Sequence, residues 1–178
     1  FLRYLEHPAL LWAGAELSPL SALFLRYLFP RLVLRPGSFE AWAADAPALA
    51  GTLGLVVANP PYGARGAERV EDPDPAYRGH RKSIYHYFVR RAGDLRARGG
   101  LGVWLVPMGL LHARSGPTAD LRRALLLRHH VGAAFRLPST LFPGASIVTD
   151  LIVLRARGGD LPGILPADEY IAAGDYFA

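Results

Sequence analysis

Apolar positions recur along this chain at two spacings, near two and near 3.6 residues, and the two alternate in blocks. Residues 1–6 read as the tail of a helix, and 10–17 as a buried strand ending in an acidic residue. Ser18-Pro19 reads as a helix start, with Ser as the cap and Pro in the first turn. Leu20, Leu23, Phe24, Tyr27 and Leu28 follow at helical spacing until Pro30 stops the run. A short strand over 32–35 is closed by Pro36-Gly37, and a longer apolar strand occupies 53–58. From 63 to 82 the pattern dissolves into Gly, Pro, Asp and Arg. This predicts a long loop, and such loops in compact domains are commonly functional. An amphipathic helix is predicted over 83–98, with Ile84, Tyr87, Phe88, Arg91 and Leu95 along one side and Gly99-Gly100 as its close. A strand over 101–106 stopped by Pro107, a helix over 118–128, and strands over 131–137 and 147–154 complete the pattern, which fades beyond Gly158. Strand, helix and strand in alternation predict an α/β fold: a mostly parallel sheet with helices on both faces.

At 178 residues and 51% hydrophobic content, the chain is long enough to bury one core and short for two, so a single domain is expected. Its 20 Lys+Arg against 15 Asp+Glu give a formal net charge of +5, which fits a polyanionic partner. Lys82 is the single lysine, and a GC-rich coding sequence would give the same arginine skew. The absence of cysteine removes disulfides, thiolate zinc sites and cysteine nucleophiles together. His129 and His130 are adjacent on a predicted strand and so point to opposite faces, with no third ligand spaced nearby, so no metal is expected. No apolar run reaches membrane-spanning length and the first residues form no leader pattern, which makes a cytoplasmic protein the expectation. Residues 63–66 lack the Lys-Ser/Thr ending of a phosphate loop, and no Gly-x-Ser-x-Gly elbow occurs, which sets aside nucleotidase and hydrolase chemistry. Met108 is the only methionine and the sequence begins at Phe1, so an upstream segment is expected.

The most informative residues stand at the end of the strand over 53–58: Asn59-Pro60-Pro61-Tyr62. A residue before a proline is pushed toward extended or polyproline geometry, and neither proline has a backbone N–H, so the turn is stiff and rich in acceptors. An exocyclic amine on a planar ring is a poor nucleophile because its lone pair is delocalised. A catalyst must hold the two amine hydrogens and draw the nitrogen toward a tetrahedral shape, which acceptors do and donors do not. The Asn59 side-chain oxygen and the Pro60 carbonyl are suited to accept one hydrogen each. By analogy with removal of one preorganised oxyanion donor, the Asn59 contact is worth roughly 3 kcal/mol of barrier. The Tyr62 ring is suited to stack on a base, a contact worth about 1 to 3 kcal/mol. An ordinary turn after a strand uses the same residue types.

Other stretches line up with this turn in a fixed order. Upstream are Glu16-Leu17-Ser18-Pro19-Leu20-Ser21, Tyr27-Leu28-Phe29-Pro30 and Gly37-Ser38-Phe39-Glu40. Downstream are Gly99-Gly100-Leu101-Gly102-Val103, Leu137-Pro138, Phe142-Pro143, Thr149-Asp150 and Leu151-Ile152-Val153-Leu154. In this order they resemble the class I S-adenosylmethionine-dependent methyltransferases, and within them the adenine-specific amino-methylating DNA enzymes of restriction-modification and phage-defence systems, nearest to the branch often fused to helicase domains. The similarity covers about residues 12–156.

The resemblance implies a Rossmann-like fold with a closing antiparallel hairpin, S-adenosyl-L-methionine as cofactor, and duplex DNA with a flipped adenine as substrate. It implies that Asn59, Pro60, Pro61 and Tyr62 form the catalytic turn. Glu16 would accept hydrogen bonds from the cofactor ribose with Leu17 beside it, as acids at the second strand of nucleotide-binding folds do; a carboxylate near a helix start is the competing role. Ser38 stands where many relatives have an Asp against the cofactor adenine, while Phe39 keeps an aromatic ring for stacking. Phe142 would wall the base pocket or serve as a small hydrophobic plug. Extruding a base costs a few kcal/mol, and Arg65, Arg69, Tyr77, Arg78, His80, Arg81 and Lys82 of the long loop are expected to grip phosphates in compensation. Glu68, Glu71, Asp72 and Asp74 nearly cancel that charge and favour a plain solvated loop.

The Gly-rich loop after the family's first strand has no counterpart in these residues, so the fold is expected to lack its first strand and the isolated chain to bind cofactor poorly. Residues 1–158 are expected to form a partial catalytic domain, and 159–178 a C-terminal extension or the start of a further segment. Further domains of the same polypeptide, for specificity, helicase or nuclease activity, are the expected partners. RNA or a protein glutamine as substrate, and a non-catalytic docking or DNA-binding module, are the alternatives.

Overall fold

The computed structural model describes residues 3, 7–45, 47–62, 72, 74–78, 83–142, 147–159 and 161–177. They divide into two compact units, Phe1–Pro47 with Val70–Arg78, and Ala48–Arg69 with Gly79–Ala178. Among the described residues no helix is long and apolar enough to cross a membrane.

In the first unit, β1 (Ala13–Glu16) and β2 (Val33–Pro36) run parallel, with Ala13 opposite Val33 and Glu16 opposite Pro36. The crossover between them is α1 (Pro19–Leu28). Its start follows the sequence signal: the Ser18 hydroxyl accepts from the Ser21 N–H at 3.3 Å, and Pro19 sits in the first turn, where no N–H is needed. Leu20, Leu23, Phe24, Tyr27 and Leu28 do share one face of the helix, yet they are 58–83% exposed, and the buried residue of α1 is the small Ala22. β1 has a ladder partner on one edge only among the described residues. Two further helices, α2 (Phe39–Asp45) and α3 (Pro75–Arg78), belong to this unit.

The second unit holds β3 (Leu53–Ala58), β4 (Arg96–Pro107), β5 (His129–Leu137) and β6 (Thr149–Ala156) in the order β3-β4-β6-β5. β3 and β4 are parallel, while β6 runs antiparallel to both β4 and β5, which gives the expected closing hairpin. The core is built from Trp104 and Val106 of β4, Ile152 and Leu154 of β6, and Tyr87 and Val89 of α4 (Ile84–Gly93). Leu110 and Leu111 of α5 (Gly109–His112) add to it, with Leu121, Leu125 and Leu126 of α6 (Gly116–Leu126).

One predicted boundary is corrected. The helix expected over 83–98 ends at Gly93, and β4 begins at Arg96, so Gly99-Gly100 lie inside a strand and do not close the helix. Strand pairing overrides the periodicity here: the Leu53 N–H donates to the Leu95 carbonyl, and Leu53 pairs with Arg96. The next pair is Leu55 with Leu101, so the ladder is bulged where the two glycines fall. Gly99 has φ of +80°, and a Cβ on Gly100 would stand 2.8 Å from the Leu53 carbonyl oxygen.

Buried guanidinium groups tie the second unit together. Arg96 donates from Nη1 to the Leu154 carbonyl at 2.6 Å and from Nε to that of Gly93 at 3.3 Å. Arg122 donates to the carbonyls of Leu110 and Ala172, both at 2.9 Å, and so fastens α7 (Glu169–Ala173) to α6. A buried carbonyl stripped of its donor costs about 1 to 3 kcal/mol, so each of these bonds matters beyond its own strength. Residues beyond Gly158, where the sequence pattern fades, also pack: Ile171 is buried and the Ala134 N–H donates to the Tyr176 hydroxyl at 2.9 Å. That bond covers part of the edge strand β5.

The two adjacent histidines face different partners, as alternation on a strand requires. His129 is buried, with Nδ1 3.0 Å from the Leu125 carbonyl, whereas His130 Nδ1 lies 3.1 Å from Asp168 Oδ2. Burial, and then the positive charge of Arg96, push the His129 pKa down from 6.5 to about 4. Between those values the unfolded chain binds a proton that the folded chain refuses. The stability held by neutral His129 is therefore complete above about pH 6.5 and is lost as pH falls toward 4. Urea unfolding across that range should show a loss on the order of 3 kcal/mol from this group. His129→Gln should flatten the slope, and an unchanged slope in that variant would place the pH dependence elsewhere.

Candidate active site

The strand β3 reaches its C-terminal end with Ala58 opposite Trp104, and the ladder stops there. Sequence chemistry explains the stop, since Pro60 and Pro61 have no N–H to offer a neighbouring strand. Pro60 is buried, Asn59 and Pro61 are exposed, and Tyr62 is half-buried. The corner folds back on itself: the Tyr62 hydroxyl donates to Asn59 Oδ1 at 2.9 Å. Burial raises the Tyr62 pKa from 10.0 to about 12, so the phenol keeps its proton. The structure thus brings the amide and the ring of the motif into direct contact, with the amide at the surface.

β5 runs parallel to β3 and β4, so its C-terminal end lies on the same edge of the sheet as Asn59. Past β5 the chain makes a short 3-10 turn, Ser139–Leu141, to the half-buried Phe142. With β4 and β6 between them in the sheet, Phe142 belongs to the far side of that edge. Pro107 and the exposed Met108 end β4 there, and the Met108 N–H donates to the Val148 carbonyl at 3.3 Å.

This edge also carries a polar clamp that the sequence reading missed. Asp150 is fully buried and accepts from Arg136 Nε at 3.0 Å and Nη2 at 3.2 Å. The same guanidinium lies over the Phe177 ring, 4.1 Å from its centroid. The signal was present, because Arg136 and Asp150 are directly opposite in the hairpin register, but it needs that register to be seen.

The residues expected to meet the cofactor lie in the first unit. Glu16 ends β1, and the Gly37 N–H donates to its carbonyl at 2.9 Å, so Glu16 and the Gly37-Ser38-Phe39 turn stand together at the carboxyl ends of two parallel strands. Gly37 has φ of +125°, a conformation that favours glycine. Glu16 Oε1 accepts from the Ser18 N–H at 2.9 Å, so one carboxylate oxygen already serves the start of α1. The Ser38 hydroxyl accepts from the Ala41 N–H at 3.1 Å and so caps α2. Phe39 is half-buried, with its ring 6.0 Å from that of Trp42, and Leu17 is exposed. A carboxylate and an aromatic ring at the ends of adjacent parallel strands suit ribose hydroxyls and a purine.

Of the residues expected to grip DNA, Arg78 lies in α3 with a side chain outside the description, and Arg81 and Lys82 lie outside the described residues, as do Arg65, Arg69 and His80. Tyr77, read from sequence as one ring of that grip, is buried, and so is Asp72, whose Oδ1 accepts from the Asp74 N–H at 2.9 Å.

Residues 40–160, more than half of the chain, match the model of the N-6 DNA Methylase family. The chain belongs to that family. No curated protein matches the sequence significantly. The fold of this N-6 DNA methylase chain is also that of solved structures. The M protein of the type I restriction enzyme EcoKI is 21% identical with a TM-score of 0.65, over 85% of this chain and 32% of its own. The methyltransferase subunit of a type I restriction-modification system from Streptococcus thermophilus is 22% identical with a TM-score of 0.63, over 82% and 34%. A modification subunit from Vibrio vulnificus YJ016 is 18% identical with a TM-score of 0.67, over 82% and 32%. The chain therefore spans about a third of the length of each of these relatives. The fold is that of the class I methyltransferases, a family for which S-adenosylmethionine is the implied cofactor.

Proposed function

We propose that this N-6 DNA methylase chain carries the catalytic corner of a DNA methyltransferase that modifies the exocyclic amine of a flipped adenine, within a restriction-modification or phage-defence enzyme. The observation that carries the reading is the Asn59-Pro60-Pro61-Tyr62 corner at the carboxyl end of β3, with Asn59 exposed and its amide oxygen held by the Tyr62 hydroxyl. The Asn59 amide oxygen and the Pro60 carbonyl accept the two amine hydrogens. With both held, the nitrogen lone pair turns out of the ring plane toward the methyl group. With the methyl donor bound, the new N–C bond would form as the sulfonium S–C bond breaks, a neutral thioether would leave, and the amine would release one proton to water. S-adenosyl-L-methionine, when bound, supplies an electrophilic methyl group. Glu16 and Phe39 are the residues that fit it, with Leu17 beside them and Ser38 committed to its helix cap.

The Tyr62 ring stacks on the extruded base, and Phe142 walls the pocket from the far side of the sheet edge. Arg78, Arg81 and Lys82 hold the phosphates flanking the flipped nucleotide. A reading head that selects the DNA sequence, and helicase or nuclease domains, belong to other parts of the assembled enzyme.

Two measurements on the full-length protein test this reading. A labelled-methyl assay offering duplex DNA, RNA and protein should show incorporation into adenine of DNA, with Asn59→Ala lowering kcat about 100-fold, the equivalent of roughly 3 kcal/mol. Full activity in that variant, or labelling confined to RNA or protein, contradicts it. Separately, Arg81→Ala with Lys82→Ala should weaken DNA binding and make the slope of log affinity against log salt shallower by about two. An unchanged slope would remove these residues from the phosphate contacts.

A further inference from the structure

The catalytic corner contains one interaction that base stacking does not require. A Phe in place of Tyr62 would stack equally well, yet the phenol oxygen stands 2.9 Å from Asn59 Oδ1, three residues back along the chain. An amide oxygen has no proton to give, so the phenol donates. In that direction the oxygen end of the Asn59 amide occupies the corner. An amide presents two acceptor lone pairs at oxygen and two donors at nitrogen, and a half-turn about its last bond exchanges them. With oxygen toward Tyr62, the second lone pair of the same atom remains for an incoming amine hydrogen. With nitrogen there, one N–H would donate to the phenol oxygen and the other would meet an amine that also offers N–H groups.

We propose that the Tyr62 hydroxyl is a positioning group that locks the Asn59 amide with Oδ1 toward the substrate amine. This inference rests on the amine-methylation reading above. The elements around the corner support it. Asn59 is exposed, so without this bond water would hydrogen-bond either end of the amide equally well. Pro60 is buried and Pro61 offers no N–H, so the two prolines supply no backbone donor that could hold the amide oxygen in place of the phenol. Burial raises the Tyr62 pKa from 10.0 to about 12, so the phenol is a donor at neutral pH. Tyr62 therefore does two things with two parts of one side chain: the ring meets the base, and the hydroxyl orients the acceptor.

The test separates the two parts in the full-length protein. Tyr62→Phe keeps the ring and removes the donor, so kcat should fall about 3- to 10-fold, the worth of one neutral hydrogen bond, while KM for duplex DNA stays near its original value. A fluorinated tyrosine at position 62, with a phenol that ionises inside the assay range, gives a sharper readout. A phenolate accepts where the phenol donated, so it turns the amide over. In that variant kcat should fall as pH rises through the phenol's own titration, whereas Tyr62→Phe should show no such step. A ring needed only for packing or stacking would not follow that titration. Retention of full kcat by Tyr62→Phe, or a flat kcat profile in the fluorinated variant, overturns the proposal. Asn59→Ala assayed alongside tells the two claims apart: if it is inactive while Tyr62→Phe is fully active, the positioning role alone fails. If Asn59→Ala is fully active, the amine-methylation reading fails and takes the positioning role with it.

Discussion

The proposed chemistry depends on backbone at the end of β3 that offers oxygen and withholds N–H. A residue other than proline brings one backbone donor and one acceptor, and regular secondary structure pairs the two. Two consecutive prolines break that balance at the place where a parallel strand meets the open edge of its sheet. The result is local and stiff: a carbonyl with no N–H on the next residue, and an asparagine whose amide oxygen accepts from the aromatic residue that closes the turn. A substrate amine, which offers two hydrogens and a reluctant lone pair, is the complement of such a surface.

A corner of this kind works only if the strand beneath it does not yield. β3 pairs in parallel with β4, whose Trp104 and Val106 are fully buried, and β4 is braced on its other edge by β6. Arginines reinforce this sheet in an unusual way. Arg96 reaches the Leu154 carbonyl, Arg122 joins α5, α6 and α7, and Arg136 clamps Asp150 beneath the ring of Phe177. The planar fork of the guanidinium satisfies two carbonyls or both oxygens of a carboxylate at once, which an ammonium group cannot match. Part of the arginine excess that suggests a polyanionic partner is thus spent inside the protein.

Much of this was legible in the sequence, for physical reasons that differ from element to element. β3 was read to its boundaries because an apolar run ending at Asn-Pro-Pro leaves no other place to stop. The start of α1 was legible from Ser18-Pro19 because capping is a local interaction. Failures came where distant pairing overrode local signal. Helical periodicity runs on through Leu95, yet the ladder with Leu53 claims Arg96 for β4, and Gly99-Gly100 serve a bulge. The Arg136–Asp150 clamp needs the hairpin register, and the burial of Tyr77 needs the fold around it. In the candidate site, the sequence supplies residue types but not their hydrogen-bond partners. Ser38, at the position of the relatives' cofactor-contacting Asp, also caps a helix, and the Tyr62 side chain is a donor as well as a ring.

The most direct measurement is a crystal structure of the full-length protein with duplex DNA carrying its target adenine and an unreactive analogue of the methyl donor. The account predicts an extruded adenine stacked on Tyr62, its amine nitrogen about 3 Å from both Asn59 Oδ1 and the Pro60 carbonyl oxygen. An adenine bound elsewhere, or an amine facing the Asn59 Nδ2 group in place of its oxygen, would contradict it.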